Sequence, residues 1–289
     1  MGEGVLIAIF VLSLFLLLGS GVWVGASLLV CAWIGMELFT SRPTGDSMAM
    51  ILWSAQSSWT LTALPMFIWM GEILFRSRLS EVLFQGLTPW LARLPGGLLH
   101  TNVAGCAIFA AISGSSAATV ATVGKMSIPE LRQRQYPERM IVGTLAGAGT
   151  LGLLIPPSIS LIIYGVSVNE SIAKLFIAGI LPGICLAVMF MTYVALWGIL
   201  SKHQSAEMVV YSLRQRLRGL RDLAPVVLLI LGVIGSIYAG VATATEAAVL
   251  GVVGSLGLSA LQGSLTWTTF RESLFGAVLR HRIVLTAAA

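Results

Sequence analysis

The chain has 289 residues, of which 57% are hydrophobic and only 10% are charged. Soluble domains carry about 45–50% apolar and about 25% charged residues, so this composition excludes a soluble enzyme and a disordered segment. It indicates a multi-pass membrane protein. The net charge of +5 fits short basic cytoplasmic loops rather than nucleic-acid binding, because the basic residues lie between apolar runs without interleaved aromatic residues.

Eight apolar runs follow one another, over residues 5–39, 48–75, 98–124, 140–168, 175–200, 223–245, 247–265 and 274–289. At about 20 residues per crossing, they have room for roughly six to nine membrane spans. The first run is too long for one span, and Gly19-Ser20-Gly21 divides it into two predicted helices. Its start lacks the basic region and the cleavage site of a signal peptide, so we expect it to belong to the mature protein.

The run over residues 98–124 has basic residues on both sides. They are Arg76, Arg78 and Arg93 before it, and Lys125, Arg132, Arg134 and Arg139 after it. Because basic loops stay in the cytoplasm, both ends are expected on one side of the membrane. This predicts a re-entrant hairpin broken at residues 113–116. An ordinary span with a Ser/Gly packing patch is the alternative, but the later basic and sparse loops alternate correctly only with a hairpin.

The run over residues 140–168 contains a second interruption. The segment GAGTLG from Gly147 is followed by Pro156-Pro157-Ser158, and glycine and proline both disfavour helix. Unwound backbone at membrane depth is tolerated only where protein or a water-filled cavity covers it. In transporters, the carbonyl groups freed at such breaks coordinate cations. Close helix packing explains the spacing of Gly143 and Gly147, but it does not explain the two prolines.

Other motifs in the chain argue against catalysis. Gly147, Gly149 and Gly152 match the dinucleotide-binding spacing G-x-G-x-x-G, but no strand precedes them and two prolines follow where a helix should continue. The sequence has no Walker-type G-x-x-x-x-G-K-[ST] loop, no G-x-S-x-G nucleophile elbow and no H-E-x-x-H pair. We therefore expect that the chain is not an enzyme.

Acidic residues near membrane spans are candidates for function by default. Glu37 and Glu72 lie near the ends of apolar runs, from which a carboxylate can reach the interface, so structural roles are favoured. Glu246 lies at a predicted helix start, where its charge suits the helix dipole and Thr243 or Thr245 can cap the helix. A structural role is predicted for Glu246 as well, rather than proton relay.

Five motifs occur in order along the chain. They are FAAISGSSAAT from Phe109, IPE from Ile128, GTLG from Gly149, IPPS from Ile155 and LFIAGILPG from Leu175. Upstream, PMF from Pro65 and LPGG from Leu94 complete a set that covers nearly the whole chain. This set resembles the large membrane subunit, DctM, of TRAP (tripartite ATP-independent periplasmic) transporters.

The resemblance implies an all-α polytopic membrane protein of the elevator type, built from two inverted repeats that each contain a re-entrant hairpin and a broken helix. The first repeat is expected at residues 1–200, with its hairpin near 98–124 and its broken helix near 140–168. A cytoplasmic basic loop is expected at 201–222 and the start of the second repeat at 223–289. We expect this second repeat to be truncated, because the counterpart of the hairpin tip would fall beyond Ala289.

The resemblance also implies a function. The chain is expected to be the membrane subunit of a sodium-coupled secondary transporter that imports carboxylates, either C4-dicarboxylates or other organic and sugar acids. Its implied partners are a small four-helix membrane subunit and a periplasmic solute-binding protein, in the bacterial inner membrane, with no cofactor and no nucleic acid. The alternative is a truncated remnant that transports nothing and only inserts into the bilayer or binds the small subunit.

Carried over by motif, the resemblance implies a sodium site between the hairpin tip and the broken helix. Its expected ligands are Ser113 and backbone oxygens at Gly152, Ile155 and Pro157. Second-line ligands or substrate contacts are expected at Ser115, Ser116, Thr150, Pro156 and Ser158. No metal other than sodium is expected.

Overall fold

The computed structural model describes residues 3–57, 59–77, 79–201 and 212–288. These residues form helices and connecting segments, and no strand occurs among them. The chain divides into two compact units, one of Met1–Trp59 with Val278–Ala289 and one of Thr60–Ala277. The predicted all-α fold class is confirmed, whereas the elevator architecture and the inverted repeats stay predictions.

The first unit contains three helices near the start of the chain. They are α1 (Glu3–Gly19), α2 (Val24–Phe39) and α3 (Thr44–Gln56). Gly21, between α1 and α2, has a φ of 77°, in the left-handed region that glycine adopts without steric cost. The rings of Phe10 and Phe39 pack edge-to-face with centroids 6.4 Å apart. The predicted division of the first apolar run into two helices is confirmed.

The second unit holds the remaining helices, beginning after a 3₁₀ turn at Trp59–Thr62. They are α4 (Ala63–Arg76), α5 (Leu79–Leu91), α6 (Leu99–Ser113), α7 (Ser116–Gln133), α8 (Glu138–Gly149), α9 (Ile159–Ser167), α10 (Ile172–Leu200), α11 (Leu213–Tyr238), α12 (Ala244–Leu261) and the first half of α13 (Trp267–Ala288). Three of the described helices, α10, α11 and α12, are long and apolar enough to cross a bilayer. The total of six to nine spans stays a prediction.

Helices α6 and α7 form a helical hairpin. Only Gly114 and Ser115 join them, and Gly114 has a φ of 58°. The two arms lie side by side, since a Cβ atom added at Gly105 would lie 3.6 Å from Val123 Cγ1. The predicted break at residues 113–116 is therefore confirmed. The second arm extends to Gln133 rather than to 124, because the apolar run ends at the first charged residue but the helix does not.

Helices α8 and α9 are separated by an interruption of the helical structure. α8 ends at Gly149, a 3₁₀ turn covers Thr150–Leu153, and residues 154–158 lie outside any helix before α9 begins. Proline has no backbone N–H and clashes with the preceding turn, so Pro156 and Pro157 keep the two helices apart. The interruption predicted within residues 140–168 is confirmed.

Helix α10 covers this break with its small residues. A Cβ atom at Gly179 would lie 2.6 Å from the Leu154 carbonyl oxygen, and one at Gly183 would lie 2.9 Å from Ile155 Cγ1. Glycines let a helix approach another backbone this closely. Protein therefore covers part of the unwound segment.

The basic segment expected as a loop at residues 201–222 is partly helical. Residues 202–211 lie outside the described residues, but α11 begins at Leu213. Its start is fixed by a reciprocal capping box: Gln215 N donates to Ser212 Oγ at 3.3 Å, and Ser212 N donates to Gln215 Oε1 at 2.8 Å. The loop prediction is wrong for residues 213–222, because charge was taken as a loop signal and the capping motif was missed.

Candidate functional site

The hairpin tip is held by its own hydroxyl groups. Ser115 caps α7 by accepting a hydrogen bond from Ala118 N at 3.5 Å. Ser113 Oγ accepts from Ser115 N at 3.3 Å and lies 3.0 Å from Thr119 Oγ1. Ser113 and Thr119 are both buried. The tip is therefore an ordered cluster of oxygen atoms rather than an open loop.

This tip is docked directly on the break in the α8–α9 segment. Ile159 N donates a hydrogen bond to Gly114 O at 3.2 Å. A Cβ atom at Gly114 would lie 2.5 Å from Pro157 O, and one at Gly152 would lie 2.8 Å from Ser116 N. At both points backbone touches backbone, so only glycine fits. The structure thus brings together two segments that are some forty residues apart in the chain.

Several carbonyl groups at the break have no protein donor. Ile155, Pro156 and Pro157 carry carbonyl oxygens that accept no hydrogen bond from any described residue. Pro156 and Pro157 are buried, and buried carbonyl groups are normally paired with protein or water. The neighbouring Leu153 carbonyl, by contrast, accepts from Ser158 Oγ at 2.9 Å. The break therefore presents unused acceptors, which is the chemistry that a cation requires.

The residues expected as sodium ligands differ in what they contact. Gly152 and Pro157 belong to the contact between the tip and the break. Ser113 lies in the tip one residue before Gly114, and its hydroxyl group contacts Ser115 and Thr119. Ile155 lies in the same unwound segment, but its side chain packs against α10.

Among the second-line candidates, Thr150 and Ser158 use their hydroxyl groups to donate hydrogen bonds to backbone carbonyl groups. Thr150 Oγ1 donates to Gly147 O at 2.7 Å and is exposed, whereas Ser158 donates to Leu153 O. Ser115 serves as the cap of α7. Ser116 Oγ, in contrast, is buried and has no hydrogen-bond partner among the described residues.

Two residues at the tip were not assigned a site role from the sequence. Thr119 is fully buried and lies within hydrogen-bond distance of Ser113. Gly71 on α4 lies against the tip from another side, since a Cβ atom there would be 3.0 Å from Ser113 Cα. The signal for Thr119 was its place just beyond the predicted turn, where the second arm begins. Gly71 had no comparable signal, because its neighbour is distant in sequence.

The acidic residues outside the tip have structural contacts. Glu72 is 1% exposed and accepts from Arg76 Nε at 3.1 Å, and Arg76 also pairs with Glu272 on α13 at 2.6 Å. Glu72 is thus buried between helices instead of reaching an interface as expected. Glu37 accepts a hydrogen bond from Thr44 Oγ1 at 2.6 Å.

The predicted helix cap at Glu246 is confirmed. Glu246 N donates to Thr243 Oγ1 at 3.3 Å, and Thr243 N donates to Glu246 Oε2 at 2.8 Å. Between α7 and α8, outside the apolar runs, Arg132 forms an ion pair with Glu138. The hydrogen bond from the Arg132 side chain lowers the pKa of the Glu138 carboxyl group.

Comparison with known proteins decides the family. The family described as "Tripartite ATP-independent periplasmic transporter, DctM component" matches residues 11–289. The chain belongs to this family. The resemblance found in the sequence motifs is confirmed, and so is the expectation that the chain is not an enzyme, because its relatives are transporter permeases.

Three relatives illustrate how similar the chain is to other proteins and how much of each protein it covers. The chain is 37% identical over 227 residues to the uncharacterized protein YgiK of Salmonella typhimurium, covering 78% of this chain and 52% of that protein. It is 35% identical over 216 residues to the C4-dicarboxylate TRAP transporter large permease protein DctM of Pseudomonas aeruginosa, covering 75% and 50%. It is 30% identical over 278 residues to the sialic acid TRAP transporter large permease protein SiaM of Vibrio cholerae, covering 94% and 62%. The chain spans about half the length of the curated relatives it matches.

Proposed function

We propose that this chain belongs to the membrane subunit of a sodium-coupled secondary transporter that imports a carboxylate solute. The contact between the hairpin tip and the α8–α9 break supports the proposal most strongly. Ile159 N donates to Gly114 O, which adjoins the buried Ser113–Thr119 hydroxyl pair, and the unused carbonyls belong to the same break. The names of two relatives, a C4-dicarboxylate permease and a sialic acid permease, support a carboxylate as the solute.

In this proposal, sodium binds to the Ser113 hydroxyl group and to backbone oxygens at Gly152, Ile155 and Pro157. All four ligands are neutral oxygens, so a monovalent cation supplies the only charge and no buried carboxylate is needed. The 3.3 Å contact from Ser115 N to Ser113 Oγ is long for a hydrogen bond. A bound ion would replace this contact at the Ser113 oxygen atom. Thr119 Oγ1, which lies 3.0 Å from Ser113 Oγ, holds this hydroxyl group in place.

Such an ion would couple to transport through the docking of the tip. An ion that touches both the tip and the break binds more tightly when the two are docked, so it stabilises the docked state. By reciprocity, a solute that binds better to the docked state raises the affinity for sodium and is itself bound more tightly in its presence. The sodium gradient then drives solute uptake.

The partners and the location complete the proposal. We infer that the whole protein works with a small four-helix membrane subunit and a periplasmic solute-binding protein in the bacterial inner membrane. The tripartite and periplasmic terms in the family description support this inference. Sodium is the coupling ion, and no cofactor takes part.

The test is uptake of labelled solute into proteoliposomes that contain the whole protein and the small subunit, with a loaded binding protein outside. A C4-dicarboxylate and sialic acid are the first solutes to try, on the basis of the relatives. We expect uptake that requires inward sodium and stops when monensin collapses the gradient. Uptake that is unchanged when potassium replaces sodium would contradict the proposed coupling.

A further inference from the structure

The first three turns of α11 carry a basic and an apolar stripe side by side. Leu213, Leu217 and Leu220 are 69%, 55% and 52% exposed, and their spacing puts them on one face of the helix. The exposed Arg214, Arg218 and Arg221 follow each leucine by one residue, so they form the neighbouring face. An exposed apolar stripe next to a cationic one is typical of a helix that lies at a membrane surface.

Arg216 lies next to the leucine stripe, on the side away from the exposed arginines and towards the packed face of this segment. Gly219 on the same face approaches α5 so closely that a Cβ atom there would lie 2.9 Å from Gly86 O, and Leu223 contacts Gly86 as well. The Trp90 indole N–H donates to Arg216 O at 3.2 Å. Arg216 is therefore fixed where the end of α5 meets the start of α11.

The guanidinium group of Arg216 has unused donors. Its Nε and Nη2 atoms are shielded from solvent and have no hydrogen-bond partner among the described residues. A shielded charged donor without a partner is costly, and a planar guanidinium group is well suited to bind a phosphate through two hydrogen bonds. Trp90 is 44% exposed beside it, as is common for tryptophan at the level of lipid headgroups.

We propose that the junction of α5 and α11 binds the headgroup of an anionic phospholipid. The headgroup phosphate accepts hydrogen bonds from Arg216 after its guanidinium group turns outward from the junction. Arg214 and Arg218 add longer-range attraction, and the acyl chains lie along Leu213, Leu217 and Leu220. Charge complementarity favours this occupant, because Asp222 is the only acidic residue among four arginines in residues 213–222. Basic pockets between membrane helices on the cytoplasmic side are known to bind such headgroups.

The experiment measures lipid selectivity of the full chain in detergent, using short-chain fluorescent phosphatidylglycerol and phosphatidylcholine as probes. We expect phosphatidylglycerol to bind at least about fivefold more tightly than phosphatidylcholine, and Arg216→Gln to remove most of this difference. Arg139→Gln is the matched control, because Arg139 is an exposed arginine in a different basic segment. It should leave the selectivity unchanged.

Three results would overturn the proposal. They are equal affinity for the two lipids, an equal loss of selectivity in Arg139→Gln, and displacement of phosphatidylglycerol by a few millimolar inorganic phosphate, which would show a site for free anions. Should Arg216→Gln fail to fold, the exposed pair Arg214→Gln/Arg218→Gln replaces it, since neither side chain is packed. This double variant is expected to weaken phosphatidylglycerol binding and leave phosphatidylcholine binding unchanged, and unchanged selectivity in it would also contradict the proposal.

Discussion

At the scale of single residues, glycine sets how closely the tip approaches the break. Gly114 and Gly152 stand where a side chain would collide with the backbone of the other segment, at Pro157 O and Ser116 N. Gly143, also in the glycine-rich α8, has no atom within 4 Å of an added Cβ. The two kinds of glycine look alike in the sequence, and only the three-dimensional contact separates them.

A pair of variants tests this distinction. Gly152→Ala should destabilise the docked tip, because the added Cβ atom would lie 2.8 Å from Ser116 N and backbone cannot move aside as a flexible side chain can. Overpacking of this kind costs about 1–3 kcal/mol. Gly143→Ala should leave the melting temperature of the purified protein unchanged or slightly raised. Equal melting temperatures for the two variants would show that the tip is not held as described.

The two breaks at the candidate site could be predicted from local signals in the sequence, whereas their pairing as an ion site was implied only by the family resemblance. Ser113 and Pro157 stand at a serine-glycine break and a double proline, both of which interrupt a helix by their own chemistry. Gly71 contacts the tip only because α4 packs beside it. Likewise, the ion-pair cluster of Glu72 and Arg76 includes Glu272, which is about two hundred residues away in the chain. No local pattern contains such a partner.

At the scale of elements, the hairpin and the broken helix followed from the same local breaks, whereas their ends did not. The second arm continues past Lys125 to Gln133, and α11 begins inside a stretch of arginines. In both places charge marks the edge of an apolar run but not the end of the helix, because a helix can extend beyond the hydrocarbon region with a polar surface. The capping motif at Ser212 was the better guide.

Whether the hairpin is re-entrant is a prediction about the two sides of the membrane. In a Cys-free background, Arg93→Cys and Gln133→Cys should both react with a membrane-impermeant maleimide from the cytoplasmic side. Both positions are exposed, one before α6 and one at the end of α7. Glu170→Cys, in the exposed segment between α9 and α10, should react from the opposite side and serves as the control. Labelling of positions 93 and 133 from opposite sides would contradict re-entrance.

At the scale of the whole molecule, family membership and the proposed ion site rest on different observations. Membership rests on a match over residues 11–289. The ion site rests on one contact within the second unit, where the tip meets the unwound backbone. The family can therefore hold even if the site is wrong, so the site needs its own test. Since it consists of neutral oxygens, sodium binding can be measured without any transport assay.

The most direct measurement is thermal unfolding of the purified chain in sodium chloride against potassium chloride at constant ionic strength. A ligand that binds only the folded state raises its stability with concentration, so we expect sodium but not potassium to raise the melting temperature. Loss of one oxygen ligand costs about 1–3 kcal/mol. Ser113→Ala should therefore raise the sodium concentration for half-maximal stabilisation roughly 5- to 150-fold, whereas the exposed Ser167→Ala in α9 should leave it unchanged. Equal stabilisation by both salts, or an unchanged sodium response in Ser113→Ala, would contradict an ion site at the hairpin tip.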